Sequence, residues 1–194
     1  MYSQEELKNI IRKRLSDYRY NHSICVSQKA VELAKKYGVD VEKARIAGIL
    51  HDITKEDDFD YQRMLIEKDG TVMTSLELDN KKIYHQMSGS AYIKYELGIE
   101  DEDILLAVRY HTTGHANMTK LEMVVYLADF TSQDRDYPDV DIMRKKTDEN
   151  MYNGMLYSLK HTITSLASHD RQIHPDTLNC YNWVLHEIDN RKCE

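Results

Sequence analysis

Six histidines and aspartates stand where a helical protein normally places apolar side chains. They are His22, His51, Asp52, His85, His111 and Asp129, each on an apolar helical stripe or at its end. One such histidine alone is more often a hydrogen-bonded core residue than a ligand, and a single such aspartate is as often ion-paired. Burying the whole set without compensation would cost several kcal/mol per group. A divalent cation, or a pair of them, removes that cost, so the set predicts a metal site.

The stretch GILHDITK at residues 48–55 shows the pattern at its densest. Adjacent His51 and Asp52 end an apolar helical run, and Lys55 follows three residues later. Two common residues adjoin by chance often enough that the pair alone is weak evidence. Imidazole and carboxylate without thiolate suit iron, manganese, nickel, cobalt or zinc, and the residue types leave that choice open.

The elements that must position these groups are helices. Apolar residues recur at helical spacing nearly throughout, while glycine and proline are scarce. The predicted helices span residues 4–16, 20–37, 41–53, 58–68, 78–97, 101–112, 119–131, 139–167 and 175–191. Residues 68–77 and 131–137 are predicted surface loops. Gly38 and Gly98 are expected as left-handed helix caps, and Pro138 and Pro175 at helix starts.

The fold predicted from this pattern is all-α, a single-domain bundle of roughly 8–10 helices. The domain spans residues 1–194, with a core at about 18–135 and C-terminal helices at 139–191 that complete the pocket. The length of 194 residues fits one domain.

The amino-acid composition limits which molecules the protein could bind and where it could be located. The net charge of −7 argues against nucleic-acid binding, and no apolar run approaches the roughly 18–20 residues of a membrane span. The N-terminal pattern is charged and amphipathic, unlike a signal peptide. Cys25, Cys180 and Cys193 form no CxxC motif, so a cytoplasmic location is expected. The apolar, tyrosine-rich helices suggest a homodimer.

Several short motifs then resemble a known family. His22, the His51–Asp52 pair and Asp129 match the H…HD…D signature of the HD superfamily of metal-dependent phosphohydrolases. A second set of motifs resembles its YqeK-type branch, the bacterial symmetrical diadenosine tetraphosphate hydrolases. These motifs are HDITK at 51–55, His85 followed by Gly89, HTTG at 111–114, ADF at 128–130, RDYP at 135–138 and IHPDT at 173–177.

The resemblance implies a role for each matching residue. His22, His51, Asp52 and Asp129 would hold a first metal, and Asp52 would bridge to a second one near His85 and His111. Asp52, Lys55, His85 and His111 would be the catalytic residues. Lys55, Thr112, Arg135 and Arg19 would contact phosphate, and residues 172–177 would line the nucleoside end of the pocket. The full expected set of substrate-binding residues is Arg19, His22, Asp52, Ile53, Thr54, Lys55, His85, His111, Thr112, Asp129, Arg135, Gln172, Ile173, His174, Pro175, Asp176 and Thr177.

The function implied is central hydrolysis of diadenosine tetraphosphate to two ADP by a metal-activated hydroxide. One or two divalent transition-metal ions are expected per chain, with iron as the favoured metal and manganese, nickel, cobalt or zinc as alternatives. Two other functions stay open. One is an HD phosphohydrolase acting on another nucleotide, such as a nucleoside mono- or triphosphate or a cyclic nucleotide. The other is a metal- and nucleotide-binding module with little turnover.

The sequence departs from the family pattern directly after Asp129. The family often has lysine or tyrosine at the position of Phe130, and Ile-Glu-Pro where this chain has Thr131, Ser132 and Gln133. The acid that Ser132 replaces is not an expected ligand, so the change is expected to alter the support of the site rather than abolish it.

Overall fold

The computed structural model describes residues 2–192, which form eleven α-helices and one 3-10 turn, with no β-strand in that range. The helices are α1 (Gln4–Arg12), α2 (Asp17–Tyr37), α3 (Val41–Leu50), α4 (Phe59–Lys68), α5 (Ser75–Asp79), α6 (Tyr84–Tyr95), α7 (Glu102–Arg109), α8 (Lys120–Thr131), α9 (Val140–Glu149), α10 (Met151–Ser168) and α11 (Pro175–Lys192). The 3-10 turn covers Lys81–Ile83. The all-α prediction is confirmed, with one helix more than the upper end of the expected number.

Helix α8 lies at the centre of the core. Its sequence KLEMVVYLADFT is buried on nearly every side, as expected of a helix without a polar face. Helices α2, α3, α7, α9 and α10 pack around it. The hydrophobic core joins residues from α1 at one end of the chain to α11 at the other. Asp129, in the last turn of α8, therefore lies on the central helix, with 17% of its side chain exposed.

Helices α2 and α3 pack closely against each other. Gly48 of α3 faces Ser27 and Ala30 of α2, and a methyl group added at Gly48 would come within 3.0 Å of the Ser27 Cα. Gly38 ends α2 in the left-handed conformation, with φ of 67°, which glycine adopts without steric cost. That cap confirms the expectation for Gly38, and Gly98 has a similar φ of 66°.

Two helices end earlier than predicted, and both ends matter for the site. Helix α3 ends at Leu50 and α7 at Arg109, where the predictions were residues 53 and 112. The chain continues from each as turns. His51 and His111 consequently lie just beyond the last regular helical residues, where a side chain can reach back to an unpaired carbonyl.

The prediction of a single helix over residues 78–97 is wrong for about its first third. Helix α6 begins only at Tyr84, after α5 and the 3-10 turn. Helix α5 begins inside the predicted loop 68–77, because Thr74 and Glu77 form a reciprocal capping box. Asn80 then leaves the helical region, with φ of −110° and ψ of 75°.

The predicted helix 139–167 is also two helices. Asn150 has an extended backbone, with φ of −163° and ψ of 137°, and its side chain caps α10 by accepting a hydrogen bond from the Tyr152 amide at 2.8 Å. Pro138 lies two residues ahead of α9 rather than at its start, whereas Pro175 opens α11 as predicted. The surface loop at 131–137 is confirmed from Ser132 onward. None of the helices in the described range combines the length and apolarity that a membrane span needs.

Candidate metal and phosphate site

The six residues picked out by their spacing come together in the structure. Two groups of donor atoms can each hold a metal ion, and the atoms within each group lie within 4.8 Å of one another. The first group is His22, His51 and Asp129, and the second is His51, Asp52 and His111. His85 adjoins the second group, with its Nε2 3.4 Å from Asp52 Oδ1 and 3.1 Å from His111 Nε2. Because His51 belongs to both groups, the site is continuous.

Backbone carbonyls orient two of these imidazoles. His51 Nδ1 donates a hydrogen bond to the Gly48 carbonyl at 2.8 Å, and His111 Nδ1 donates to the Val108 carbonyl at 2.7 Å. Each bond spans three residues at a helix end and fixes the hydrogen on Nδ1. The Nε2 lone pair of a neutral imidazole then faces the cluster. Outer hydrogen bonds of this kind commonly orient metal-binding histidines.

The electrostatics keep His51, His85 and Asp52 in the protonation states that a metal requires. Burial lowers the pKa of His51 to about 4, and burial together with Lys55 holds the pKa of His85 well below 6.5. Burial alone would raise the pKa of Asp52, but His51, His111 and His85 hold it well below 3.8. Neutral imidazole and ionised carboxylate are the forms that bind metal ions.

One orphaned atom tests whether a metal ion fits. His51 Nε2 is fully buried and has no hydrogen-bond partner among the described residues. Such an atom costs free energy unless something supplies its missing interaction. It lies 3.5 Å from Asp52 Oδ2 and 3.8 Å from Asp129 Oδ1. A cation placed among these three atoms would satisfy all of them, and the donor set fits a first-row transition metal.

Cationic side chains surround the carboxylates. Arg19 donates to Asp52 Oδ2 at 2.9 Å, and Arg135 pairs with Asp129 and also donates to its backbone carbonyl at 2.7 Å. Lys55 Nζ lies 3.9 Å from Asp52 Oδ1 and 2.9 Å from His85 Nε2. Burial lowers the pKa of Lys55, with Asp52 acting in the opposite direction. The structure thus brings the three predicted cations to one site.

The residues around His85 divide into those that reach the cluster and those that do not. Thr112 Oγ1 lies 3.1 Å from His85 Nε2, so this predicted phosphate contact is in place beside the cluster. Ile53 is wholly buried in the apolar core. Thr54 is also wholly buried and donates to the His85 carbonyl at 3.1 Å. These two side chains support the cluster from behind and are not brought into it.

The segment 172–177 borders a cleft of about 500 Å³ next to Thr112 and Thr113. Gln172, His174 and Thr177 line this cleft, whereas Ile173, Pro175 and Asp176 do not. Thr177 Oγ1 donates to the Thr113 carbonyl at 2.9 Å and so ties the segment to the HTTG turn. His174 Nε2 lies 3.5 Å from the buried carboxylate of Glu77 in α5. The Thr177 hydrogen bond thereby fixes the segment beside the HTTG turn.

Sequence reasoning missed Asp134. Its Oδ2 lies 2.7 Å from His22 Nδ1, and His22 Nε2 on the opposite side of the ring lies 3.0 Å from Asp129 Oδ1. Although partial burial would raise the pKa of Asp134, the hydrogen bond to His22 lowers it to about 2. Two features of the sequence could have pointed to Asp134. It lies five residues after Asp129, and a buried His22 needs a hydrogen-bond partner on its outer ring nitrogen.

Comparison with protein families supports the interpretation of the clustered histidines and aspartates as a metal site. The HD domain family model matches residues 19–134. The matched region begins at Arg19 and ends at Asp134, and so contains all six clustered histidines and aspartates together with Lys55 and Thr112.

Relatives match over nearly the whole chain. A protein of Halalkalibacterium halodurans named symmetrical bis(5'-nucleosyl)-tetraphosphatase is 38% identical, covering 92% of this chain and 95% of its own length. A Bacillus subtilis protein of the same name is 34% identical, covering 94% and 98%. A crystal structure described as a predicted HD superfamily hydrolase involved in NAD metabolism, from Clostridium acetobutylicum, is 33% identical, with a TM-score of 0.93 and coverage of 96% and 99%.

Proposed function

The chain belongs to the HD domain family and, within it, to the group of symmetrical bis(5'-nucleosyl)-tetraphosphatases; from this premise we propose that it hydrolyses diadenosine tetraphosphate at the centre to give two ADP. The observation that carries the proposal is the pair of donor groups sharing His51, with three cationic side chains directly against their carboxylates. Metal donors and phosphate-binding cations are both needed for polyphosphate hydrolysis, and here they adjoin.

Four residues would hold the first metal ion: His22, His51, Asp52 and Asp129. Asp52 would also serve a second ion with His111 and His85. When bound, such an ion supplies Lewis acidity that lowers the pKa of water and neutralises phosphate charge. We propose iron, with manganese, nickel, cobalt or zinc as the alternatives, because the donors are imidazole and carboxylate without thiolate. Elemental analysis of the purified protein decides among them.

The chain's own cations would bind and orient the substrate. Arg19 and Arg135 are paired with Asp52 and Asp129, and with a metal ion as partner of these carboxylates both guanidiniums become available to phosphate oxygens. Arginine can grip phosphate through two parallel hydrogen bonds. Lys55 and the Thr112 hydroxyl lie beside His85, where they would stabilise negative charge that develops on the leaving diphosphate. An acidic protein can admit a polyanion by this local arrangement of charge.

Analysis of the products tests the proposed function. Metal-loaded protein is incubated with diadenosine tetraphosphate, and the nucleotides are separated. ADP alone supports the proposal, and AMP with ATP contradicts central cleavage. No turnover accompanied by tight ADP binding would favour the binding-module alternative.

Two matched variants control this assay. We expect Asp52→Asn to abolish turnover while the helical circular dichroism is retained, because Asp52 contacts three of the clustered imidazoles. Asp57→Asn makes the same chemical change five residues later. Asp57 pairs with Arg14 outside the cluster, so that variant should keep its turnover.

The predictions on partners and location accompany this proposal. Cys25 and Cys180 are free thiols, which suits the proposed reducing cytoplasm, and Cys193 lies outside the described residues. The substrate is a small nucleotide, and nucleic acid is not an expected partner of an acidic chain. The homodimer stays a prediction that light scattering would test.

A further inference from the structure

Two neighbouring depressions lie close to the His85–Lys55 pair. The first is the cleft beside the 172–177 segment, whose wall includes Thr112, in contact with His85 at 3.1 Å. The second is a pocket of about 190 Å³ that His85 and Lys55 themselves line. We call it the lysine pocket, and its other lining residues are Phe59, Gln62, Lys81 and Lys82. Lys82 lines both depressions, so they are neighbours on one surface.

The lysine pocket combines cations with an exposed aromatic ring. Lys81 and Lys82 are exposed, and neither forms an ion pair in the described part of the chain. Phe59, the first residue of α4, is 46% exposed. Its ring is held edge to face by Tyr84, at 6.2 Å between centroids, and the Lys81 ammonium lies 4.8 Å from its centre. A fixed aromatic ring next to lysines is a chemistry that suits a nucleobase and its phosphates.

The symmetry of the substrate gives this pocket a use. On the proposed function, central cleavage leaves one nucleoside diphosphate on each side of the bond that breaks. The cleft at 172–177, where the family resemblance implies the nucleoside end of the pocket, would accommodate one half. The other half would then leave the cluster in a different direction. The lysine pocket is the depression that already contains Lys55 and His85. We propose that it binds the second nucleoside diphosphate half, with phosphates on Lys81 and Lys82 and the base stacked on Phe59.

A comparison of substrates with and without a second nucleoside isolates the proposed stacking of a base on Phe59. Phe59→Ala should raise the KM for diadenosine tetraphosphate about 5- to 20-fold through lost stacking. The KM for adenosine 5'-tetraphosphate, which has only one nucleoside, should stay within about twofold. Phe59→Tyr should restore the parental KM, since its ring also stacks. Parallel changes for both substrates, or no change for either, would overturn the proposal.

A remote aromatic residue provides the matched control. Tyr95, the last residue of α6, is 38% exposed. As Lys81 does for Phe59, the Lys68 and Lys94 ammonium groups lie near its ring. Tyr95→Ala removes an exposed ring of similar surroundings without touching either depression. It should leave the KM of both substrates unchanged.

Equilibrium binding of ADP tests the pocket without any turnover, so the proposed function and the pocket can fail separately. Metal-loaded protein should bind two ADP per chain. The Phe59→Ala, Lys81→Ala double variant should bind one, with the remaining affinity unchanged. A single ADP bound by the parental protein, or two bound with parental affinities by the double variant, would refute the lysine pocket even if hydrolysis is central.

Discussion

At the scale of single residues, Asp134 holds one imidazole of the site from outside. The resemblance places the family's acid at position 132, and here that position is Ser132, fully buried at the end of α8. In this chain a carboxylate two residues later, that of Asp134, contacts the outer nitrogen of His22 at 2.7 Å. A carboxylate in this position orients the ring and raises its basicity as a ligand.

Removing that charge should therefore weaken metal retention. Asp134→Asn should lower metal affinity about 10- to 100-fold, because a neutral amide supports His22 less strongly than a carboxylate. The measurement is the rate and extent of metal loss to a competing chelator, alongside the circular dichroism of the variant. Asp136→Asn, an exposed aspartate two residues later, is the control. Equal metal retention by Asp134→Asn and the parental protein would show that Asp134 does not position the ligand.

The sequence predicted the clustered residues because each interrupts an apolar stripe with a titratable group, as His22 does in α2. A titratable residue on an apolar helical stripe is indicated by that spacing to face the protein interior. Asp134 could not be found in this way, since it lies in the loop after α8 without periodicity. Its role depends on a contact 112 residues away along the chain, and no local pattern encodes that distance.

At the scale of elements, the approach of α2 to α3 sets where His51 lies. A methyl group on Gly48 would come within 3.0 Å of the Ser27 Cα and 3.1 Å of the Ala30 Cβ. Backbone cannot yield as a flexible side chain can, so the two helices would have to separate. At Gly89 of α6, by contrast, an added methyl group would make an ordinary 3.4 Å contact with Val108.

The two glycines therefore make a matched pair. Gly48→Ala should destabilise the protein by about 1–3 kcal/mol through overpacking, partly offset by the roughly 1 kcal/mol helix preference of alanine. Gly89→Ala should be neutral or slightly stabilising for the same preference. Urea unfolding of both variants measures the difference. An equal free energy of unfolding for the two would contradict the close packing at Gly48.

Helix starts and ends show which local signals suffice. The Thr74–Glu77 capping box of α5 is present in the sequence as TSLE, so that helix was detectable in advance. The break between α9 and α10 had a weaker signal, because Asn150 is a favoured N-cap residue but apolar spacing continues across it without a glycine or proline. There the packing of α10 against α9, α8 and α11 decides the conformation.

A second element-scale feature is the ion pair that joins the loop before α8 to its first turn. His115 Nε2 lies 2.5 Å from Glu122 Oε1. Burial would lower the pKa of His115, but the bond to Glu122 raises it above 6.5. Burial would raise the pKa of Glu122, but His115 and Thr119 lower it below 4.5. The histidine's stabilisation is full below pH 6.5 and is lost as pH rises through its raised pKa. The glutamate's stabilisation is present above pH 4.5 and is lost as pH falls through its lowered pKa.

The pair should accordingly stabilise the protein most between these two values. His115→Gln keeps a neutral donor of similar size but removes the charge. Its free energy of unfolding should be about 1–3 kcal/mol lower than that of the parent near pH 5.5, and the difference should shrink as pH rises towards 9. His186→Gln, at an exposed site, should show no such trend. A difference that is constant with pH would mean that charge on His115 is not involved.

At the scale of the whole molecule, the site connects parts of the chain that are far apart in sequence. The residues that could hold a metal ion come from α2, α8 and the chain directly after α3 and α7. All these elements pack into one core. A ligand that binds only the folded arrangement adds its binding free energy to the stability of the fold. The metal site should thus act on global unfolding and not only on chemistry.

Metal removal should consequently lower the melting temperature of the entire protein. At a free ion concentration of about 100 times Kd, binding contributes about 2.7 kcal/mol, which corresponds to roughly 5–11 °C for a chain of this size. Thermal unfolding is recorded after chelation and again after the ion is restored. Asp52→Asn retains the fold's apolar core but loses a buried carboxylate of the second donor group, so its melting temperature should respond less to the ion. If the parental protein melted at one temperature in both conditions, the buried imidazoles would be satisfied without a metal ion, and the orphaned His51 Nε2 would need another partner.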